Sequence, residues 1–161
     1  MIDTITVRNA YPAEIPAIAQ IWYDAWQDAH ATILPAKLAR IRTLESFRSR
    51  LGEMLDIVRV TGKPGLPTGF CIVKDDELFQ LFVSADARGT GVAAALISDG
   101  EKRLANNGVR IAWLACAVGN DRAARFYEKS GWHNAGTVSH SIETPEGAVE
   151  FDVWRYEKVL F

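Results

Sequence analysis

Cysteine is nearly absent from this chain of 161 residues: Cys71 and Cys116 are the only two, each inside an apolar strand-like run. Such a pair excludes a disulfide framework and reads as two buried, reduced thiols, neither of them a nucleophile. Histidine is also sparse, and His30, His133 and His140 are scattered without a ligand spacing, so no metal is expected. An excess of positive charge is missing as well. The formal net charge of −2 leaves no broad basic field for nucleic acid or anionic lipid. No apolar run approaches the length that spans a bilayer. The start, Met1-Ile2-Asp3, lacks the charged and apolar regions of an export signal. These absences point to a cytoplasmic protein whose partner is small or peptidic, with no nucleic-acid or membrane partner. Repeats, low-complexity segments and composition shifts are also lacking, so residues 1–161 read as a single domain. With 48% hydrophobic residues, the chain has enough apolar material for one core.

Periodicity supplies the elements. Ile5 and Val7 alternate with polar positions as a first strand, and Pro12 to Ala29 carries Ile15, Ile18, Trp22, Trp26 and Ala29 at helical spacing. Pro35 opens a second helical stretch to about Leu55, interrupted near Thr43, a residue suited to cap a new helix from Leu44. Strands at Ile57 to Thr61, Phe70 to Val73 and Leu78 to Val83, separated by turn-rich segments, form an antiparallel meander. A helix then runs from Thr90 to about Asn106 and stops at Asn107-Gly108, and Ile111 to Val118 is a buried strand. The strands flanking that helix are expected to be parallel over most of their length, joined by a right-handed crossover. Asn120 caps a helix ending at Gly131, and two strands, around Thr137 to Ile142 and Ala148 to Tyr156, close the chain.

The most informative stretch is Arg88-Gly89-Thr90-Gly91-Val92-Ala93, between a strand and a helix. Two glycines let the backbone approach a ligand closely, and N–H groups at a helix start have no intrahelical acceptor, which favours an anion such as pyrophosphate. A second block, Asn120-Asp121-Arg122-Ala123-Ala124-Arg125-Phe126-Tyr127-Glu128-Lys129-Ser130-Gly131-Trp132, follows the next strand. Together, from about Leu78 to Trp132, they resemble the GCN5-related N-acetyltransferases (the GNAT family), with their Arg/Gln-x-x-Gly-x-Gly/Ala loop and Phe-Tyr-Glu-x-x-Gly-Phe/Trp helix. Two departures stand out. Ala85 occupies a place where proline is common, and Ala93 replaces the last glycine.

The resemblance implies an α/β (α+β) fold: a central mixed, mostly antiparallel sheet of about six to seven strands, split in a V between the fourth and fifth strands and flanked by about four helices. It also implies acetyl-CoA as cosubstrate. Pantetheine would lie along Leu81, Phe82 and Val83, and the N–H groups of Arg88, Gly89, Thr90, Gly91, Val92 and Ala93 would wrap the pyrophosphate, with Asn120, Ala124 and Tyr127 also beside the coenzyme. Transfer to an amine requires a proton to leave the amine and a proton to reach the departing thiolate. By family position Tyr127 is the general acid, the first choice for that role; packed beside Phe126 it also reads as a helix aromatic on the sheet. Glu77 stands where some members place the base, and it also reads as an exposed residue of the acidic turn Asp75-Asp76-Glu77. Because a strand has period two, Glu77 and Gln80 share one cleft only if the strand bulges. Whether Glu77, Gln80 or a water handles the acceptor proton stays open, as does Asn120 between helix cap and ligand-facing amide. Trp26, His30 and Gln80 are the candidates for the acceptor end, where the amine belongs to a small molecule, an amino acid or a peptide terminus.

Two alternatives compete, and a third is excluded. A noncatalytic acyl-CoA-binding module keeps the glycine loop without the chemistry. A dinucleotide fingerprint at Gly89-x-Gly91-x-x-Ala94 suffers from the intervening Ser84 to Arg88 and from the missing acidic residue after Ile111 to Val118. A nucleotide P-loop at Gly62-Lys63 is excluded, since Ile57 stands where a glycine is required and Pro64 where Ser or Thr is. The apolar Phe151, Val153, Trp154, Val159 and Leu160 suit either a homodimer contact or ordinary core.

Overall fold

The computed structural model describes residues 4–161, so Met1-Ile2-Asp3, the stretch read for an export signal, lies outside the described residues. Seven strands form one sheet in the order β1-β2-β3-β4-β5-β7-β6. They span Val7–Asn9 (β1), Val58–Thr61 (β2), Gly69–Lys74 (β3), Glu77–Val83 (β4), Ile111–Ala117 (β5), His133–Thr144 (β6) and Gly147–Val159 (β7). Five α-helices accompany them: α1 Ile15–His30, α2 Ala36–Ile41, α3 Leu44–Met54, α4 Val92–Asn106 and α5 Asp121–Lys129. The helix beyond the expected four is α3, which starts at its cap, Thr43. The Thr43 hydroxyl accepts from the Ser46 N–H at 3.1 Å, capping α3 and splitting the second helical stretch in two.

Period-two alternation divides the sheet's side chains between two cores. Val58, Val60, Phe70 and Ile72 face α1, α2 and α3 and bury Ile18, Trp22, Leu38, Phe47 and Leu51. Cys71, Val73, Leu78 and Leu114 face the other way, onto Leu96, Ile97 and Leu104 of α4 and Ala124 of α5. A buried carboxylate ties the N-terminal elements together. Glu14, 3% exposed, accepts two hydrogen bonds from the Arg8 guanidinium at 2.9 and 2.7 Å, and others from the N–H groups of Tyr11 and Gly65. The paired guanidinium and these hydrogen bonds hold the Glu14 carboxyl at about 2, below the usual carboxylate range.

Two features of the sheet position the site. First, β4 and β5 are parallel neighbours at one pair only, Glu77 with Trp113. That corrects the expectation of parallel pairing over most of their length: the strands separate after their first contact and leave a V between them. Second, β4 carries a bulge. Ile72 of β3 opposes Gln80 while Val73 opposes Leu78, so Phe79 is passed over in the ladder. The final hairpin is longer than its hydrophobic pattern suggests, because most of β6 is exposed and is held by its ladder to β7, not by apolar burial.

Candidate active site

The V between β4 and β5 opens into a cavity of about 520 Å³. One end is built by the bend between β4 and α4. Gly89 and Gly91 adopt φ of 75° and 88°, a region that favours glycine, and Gly91 caps α4 with no side-chain hydrogen bond. The first bond of the helix runs from the Ala95 N–H to the Gly91 carbonyl at 3.0 Å. The N–H groups of Val92, Ala93 and Ala94 therefore have no intrahelical acceptor, and they carry the positive end of a helix of 15 residues. An added Cβ on Gly89 would meet nothing within 4 Å, so the space over the bend is open. Orphan donors, open space and the helix dipole suit a diphosphate.

Most of the residues singled out from the sequence line this cavity. Leu81, Phe82, Val83, Arg88, Gly89, Gly91, Ala93 and Asn120 are in its wall, with Tyr127, Glu77, Gln80, Trp26 and His30. Thr90, Val92 and Ala124 are not. Thr90 is exposed and its hydroxyl donates to the Ala87 carbonyl, while Val92 and Ala124 are 7% exposed core residues. The Arg88 N–H is already engaged, donating to the Ala85 carbonyl at 3.3 Å. Its side chain and that of Arg122 both reach Asp28 of α1, at 2.7 and 3.3 Å, fastening α1 and α5 to the bend. Asn120 caps α5, its Oδ1 accepting from the Ala123 N–H at 3.4 Å, and also borders the cavity.

The bulge at Phe79 resolves the geometry of β4: Glu77 and Gln80 both line the cavity, because the passed-over residue restores them to one side. Burial, with a smaller push from Asp76, raises the Glu77 carboxyl to about 7. A carboxyl that titrates there is matched to proton transfer at neutral pH. Tyr127 sits across the split, its ring centroid 5.5 Å from Phe126, 6.0 Å from Tyr156 and 6.5 Å from Trp132. Its half-buried ring opens on the cavity, and burial pushes the phenol above its usual value, so it stays protonated and able to donate. Cys116 is also in the wall, but burial raises its thiol to about 12, which leaves it inert as a nucleophile. His30 lies 5.3 Å from Trp26 and 6.4 Å from Phe82, with its Nδ1 buried and unpartnered; burial lowers its pKa to about 4 and keeps it neutral.

Several residues of the cavity escaped the sequence reading. Arg42, at the C-terminal end of α2, and Arg50, on α3, line it, as do His140, Ile142 and Phe151 from the β6–β7 hairpin. Arg50 had a signal. It stands three residues after Phe47 and one before Leu51, both 0% exposed, and so belongs to the inward stripe of its helix. Its guanidinium lies 4.4 Å from the Trp22 ring centroid and 5.9 Å from that of Phe47. The hairpin residues had none, because a hairpin folding over a distant helix leaves no local pattern. Lys37 of α2 donates to the Glu146 carbonyl at 3.0 Å, joining the hairpin turn to that helix.

Among the described residues no group of three or more His, Cys, Asp or Glu is placed to hold a metal ion, and no helix is long and apolar enough to cross a membrane. The family model for the Acetyltransferase (GNAT) family matches residues 16–132. An uncharacterized N-acetyltransferase of Methanocaldococcus jannaschii is 25% identical over 146 residues, 86% of this chain, and the chain spans 65% of that relative's length. An uncharacterized N-acetyltransferase of Mycobacterium tuberculosis is 39% identical over 64 residues, 40% of this chain and 41% of the relative. The protein yncA of Salmonella typhimurium, solved with its cofactor acetyl-CoA, shares the fold at a TM-score of 0.73 with 16% identity, over 99% of this chain and 95% of that one.

Proposed function

The chain belongs to the acetyltransferase (GNAT) family, and from that premise we propose that it transfers an acetyl group from acetyl-CoA to a primary amine by direct attack. One observation carries the reading: a single cavity joins the open bend at Gly89 and Gly91 to Glu77 and Tyr127 through the gap between β4 and β5. The unpaired donors of Val92, Ala93 and Ala94 would hold the diphosphate, and the separated edge of β4 from Leu81 to Val83 would hold the pantetheine arm. Acetyl-CoA supplies the acyl group as a thioester. Glu77, directly or through a water, takes the proton released as the amine nitrogen bonds to the acyl carbon. Tyr127 gives its proton to the sulfur as the carbon–sulfur bond breaks; the phenol then takes a proton from solvent and Glu77 releases its own to solvent. Positioning two reactants in one cleft lowers the barrier further.

The acceptor is a small-molecule or peptide amine. Buried thiols at Cys71 and Cys116 suit a reducing, cytoplasmic setting. Of the apolar residues suited to either a contact or core, Val153 is 3% exposed and Phe151, Trp154 and Leu160 pack on the core, so the exposed Val159, with Val138 of β6, is left to suit a homodimer contact. The test is thiol release from acetyl-CoA across a panel of amines, run beside calorimetric titration of acetyl-CoA. Turnover with at least one amine is expected. Tight binding without turnover on any amine would instead mark an acyl-CoA-binding module.

A further inference from the structure

Charge is distributed unevenly along the cavity. Arg88 and Arg122, at the coenzyme end, share Asp28. Arg42 and Arg50, where α2, α3 and the β6–β7 hairpin meet, have no carboxylate within salt-bridge distance and no side-chain hydrogen bond among the described residues. Glu53 acts on Arg50 only from a longer range. Both guanidiniums are partly buried, and among the described residues Glu77 is the one carboxylate in the wall. Arg50 is held in place by stacking on Trp22 and Phe47 instead of by an acidic partner.

Two neighbouring cations withdrawn from water without an anion are costly, and that cost is relieved when a ligand brings the missing charge. Guanidiniums pair with carboxylates through two parallel hydrogen bonds, which gives orientation as well as attraction. Resting on the transfer activity proposed above, we propose that the acceptor is a small amine bearing a carboxylate, with its amino group toward Glu77 and its carboxylate held by Arg42 and Arg50. The pair sets specificity and leaves the bond-making groups to β4 and α5. A peptide amino terminus has no free carboxylate near its amine and would leave both cations unmatched.

The experiment compares α- and ω-amino acids with their own carboxamides, and with a short peptide blocked at its carboxyl end, in the thiol-release assay with products identified by mass spectrometry. The carboxylate form of the best acceptor should exceed its carboxamide in kcat/KM by about 10- to 100-fold, the range for hydrogen bonds to charged groups. Arg42→Gln and Arg50→Gln should each shrink that ratio toward one, and Arg50→Lys should keep part of it, with the KM for acetyl-CoA unmoved. The comparison of acid with amide in the unaltered protein needs no variant, so misfolding of Arg50→Gln does not blunt it. A ratio near one, or preference for the blocked peptide, overturns the acceptor class while the transfer activity stands. A raised acetyl-CoA KM in the arginine variants assigns the pair to the coenzyme and overturns the inference. If no amine of either kind is acetylated, the underlying activity fails with it.

Discussion

Replacing Glu77 by glutamine separates the catalytic role of this carboxyl from its effect on stability. Burial lifts it from an ordinary value of 4.5 to about 7. At about 1.4 kcal/mol for each tenfold change in proton affinity, that difference corresponds to about 3 kcal/mol against the ionised form. Glu77 is only half-buried and borders the cavity, so solvent screens the charge and about 1–2 kcal/mol is expected. The sign follows from the direction of the shift. A carboxyl whose folded pKa lies above its unfolded one leaves stability intact below pH 4.5, lowers it as pH rises from there to about 7, and adds nothing further beyond. Glu77→Gln should therefore match the unaltered protein in stability near pH 4 and exceed it at pH 8, with a melting temperature about 2–8 °C higher. Thiol release at pH 8 should fall by about 100-fold. In the unaltered protein, kcat/KM should break near pH 7, superimposed on the slower rise of the amine's own ionisation, and that break should vanish in the variant. Differential scanning calorimetry at the two pH values and a pH–rate series read both effects. A variant no more stable at pH 8 than its parent, or one that keeps the break, refutes the assignment of a desolvated base.

Tyr127→Phe removes a hydroxyl that has no hydrogen-bond partner among the described residues, so folding and acetyl-CoA affinity should persist while kcat falls by about 100-fold; equal turnover would exclude the phenol as the acid. Gly91→Ala and Gly108→Ala both place a side chain at a left-handed φ, 88° and 86°, and should lose similar stability, of order 1 kcal/mol. Only the first should weaken acetyl-CoA binding by calorimetry, and equal affinities in the two would count against the bend. Glu14, held at about 2 by Arg8 and two backbone donors, contributes stability above pH 4.5 that is lost as pH falls toward 2. Glu14→Gln should accordingly cost about 3 kcal/mol in urea unfolding at pH 7 and little at pH 2.

What the chain reveals by inspection is what local chemistry decides. Thr43 and Asn120 are caps because a short polar side chain reaches an N–H three residues on, and the geometry is the same wherever the helix lies. The loop at Gly89 and Gly91 is legible for a similar reason, since glycine spacing before a helix reports backbone shape directly. Long-range packing is less legible. The bulge at Phe79 depends on how β3 and β4 register, and nothing in Glu-Leu-Phe-Gln-Leu-Phe-Val marks which residue is passed over. The parallel pairing of β4 and β5 stops after one pair because the sheet splits, a property of the whole molecule. Arg42 carries no local mark of its place in the cavity wall, and Arg50 carries only its position on the inward stripe of α3. The stacking of Arg50 on Trp22 of α1, and the meeting of both arginines with the β6–β7 hairpin in one wall, lie outside any window along the chain.

A crystal structure of the protein with coenzyme A bound tests the central claim most directly. The diphosphate should sit over the bend within hydrogen-bond distance of the N–H groups of Val92, Ala93 and Ala94, with the pantetheine arm between β4 and β5 and its sulfur near Tyr127. Coenzyme bound away from those amides, with the gap between the two strands still empty, would contradict it.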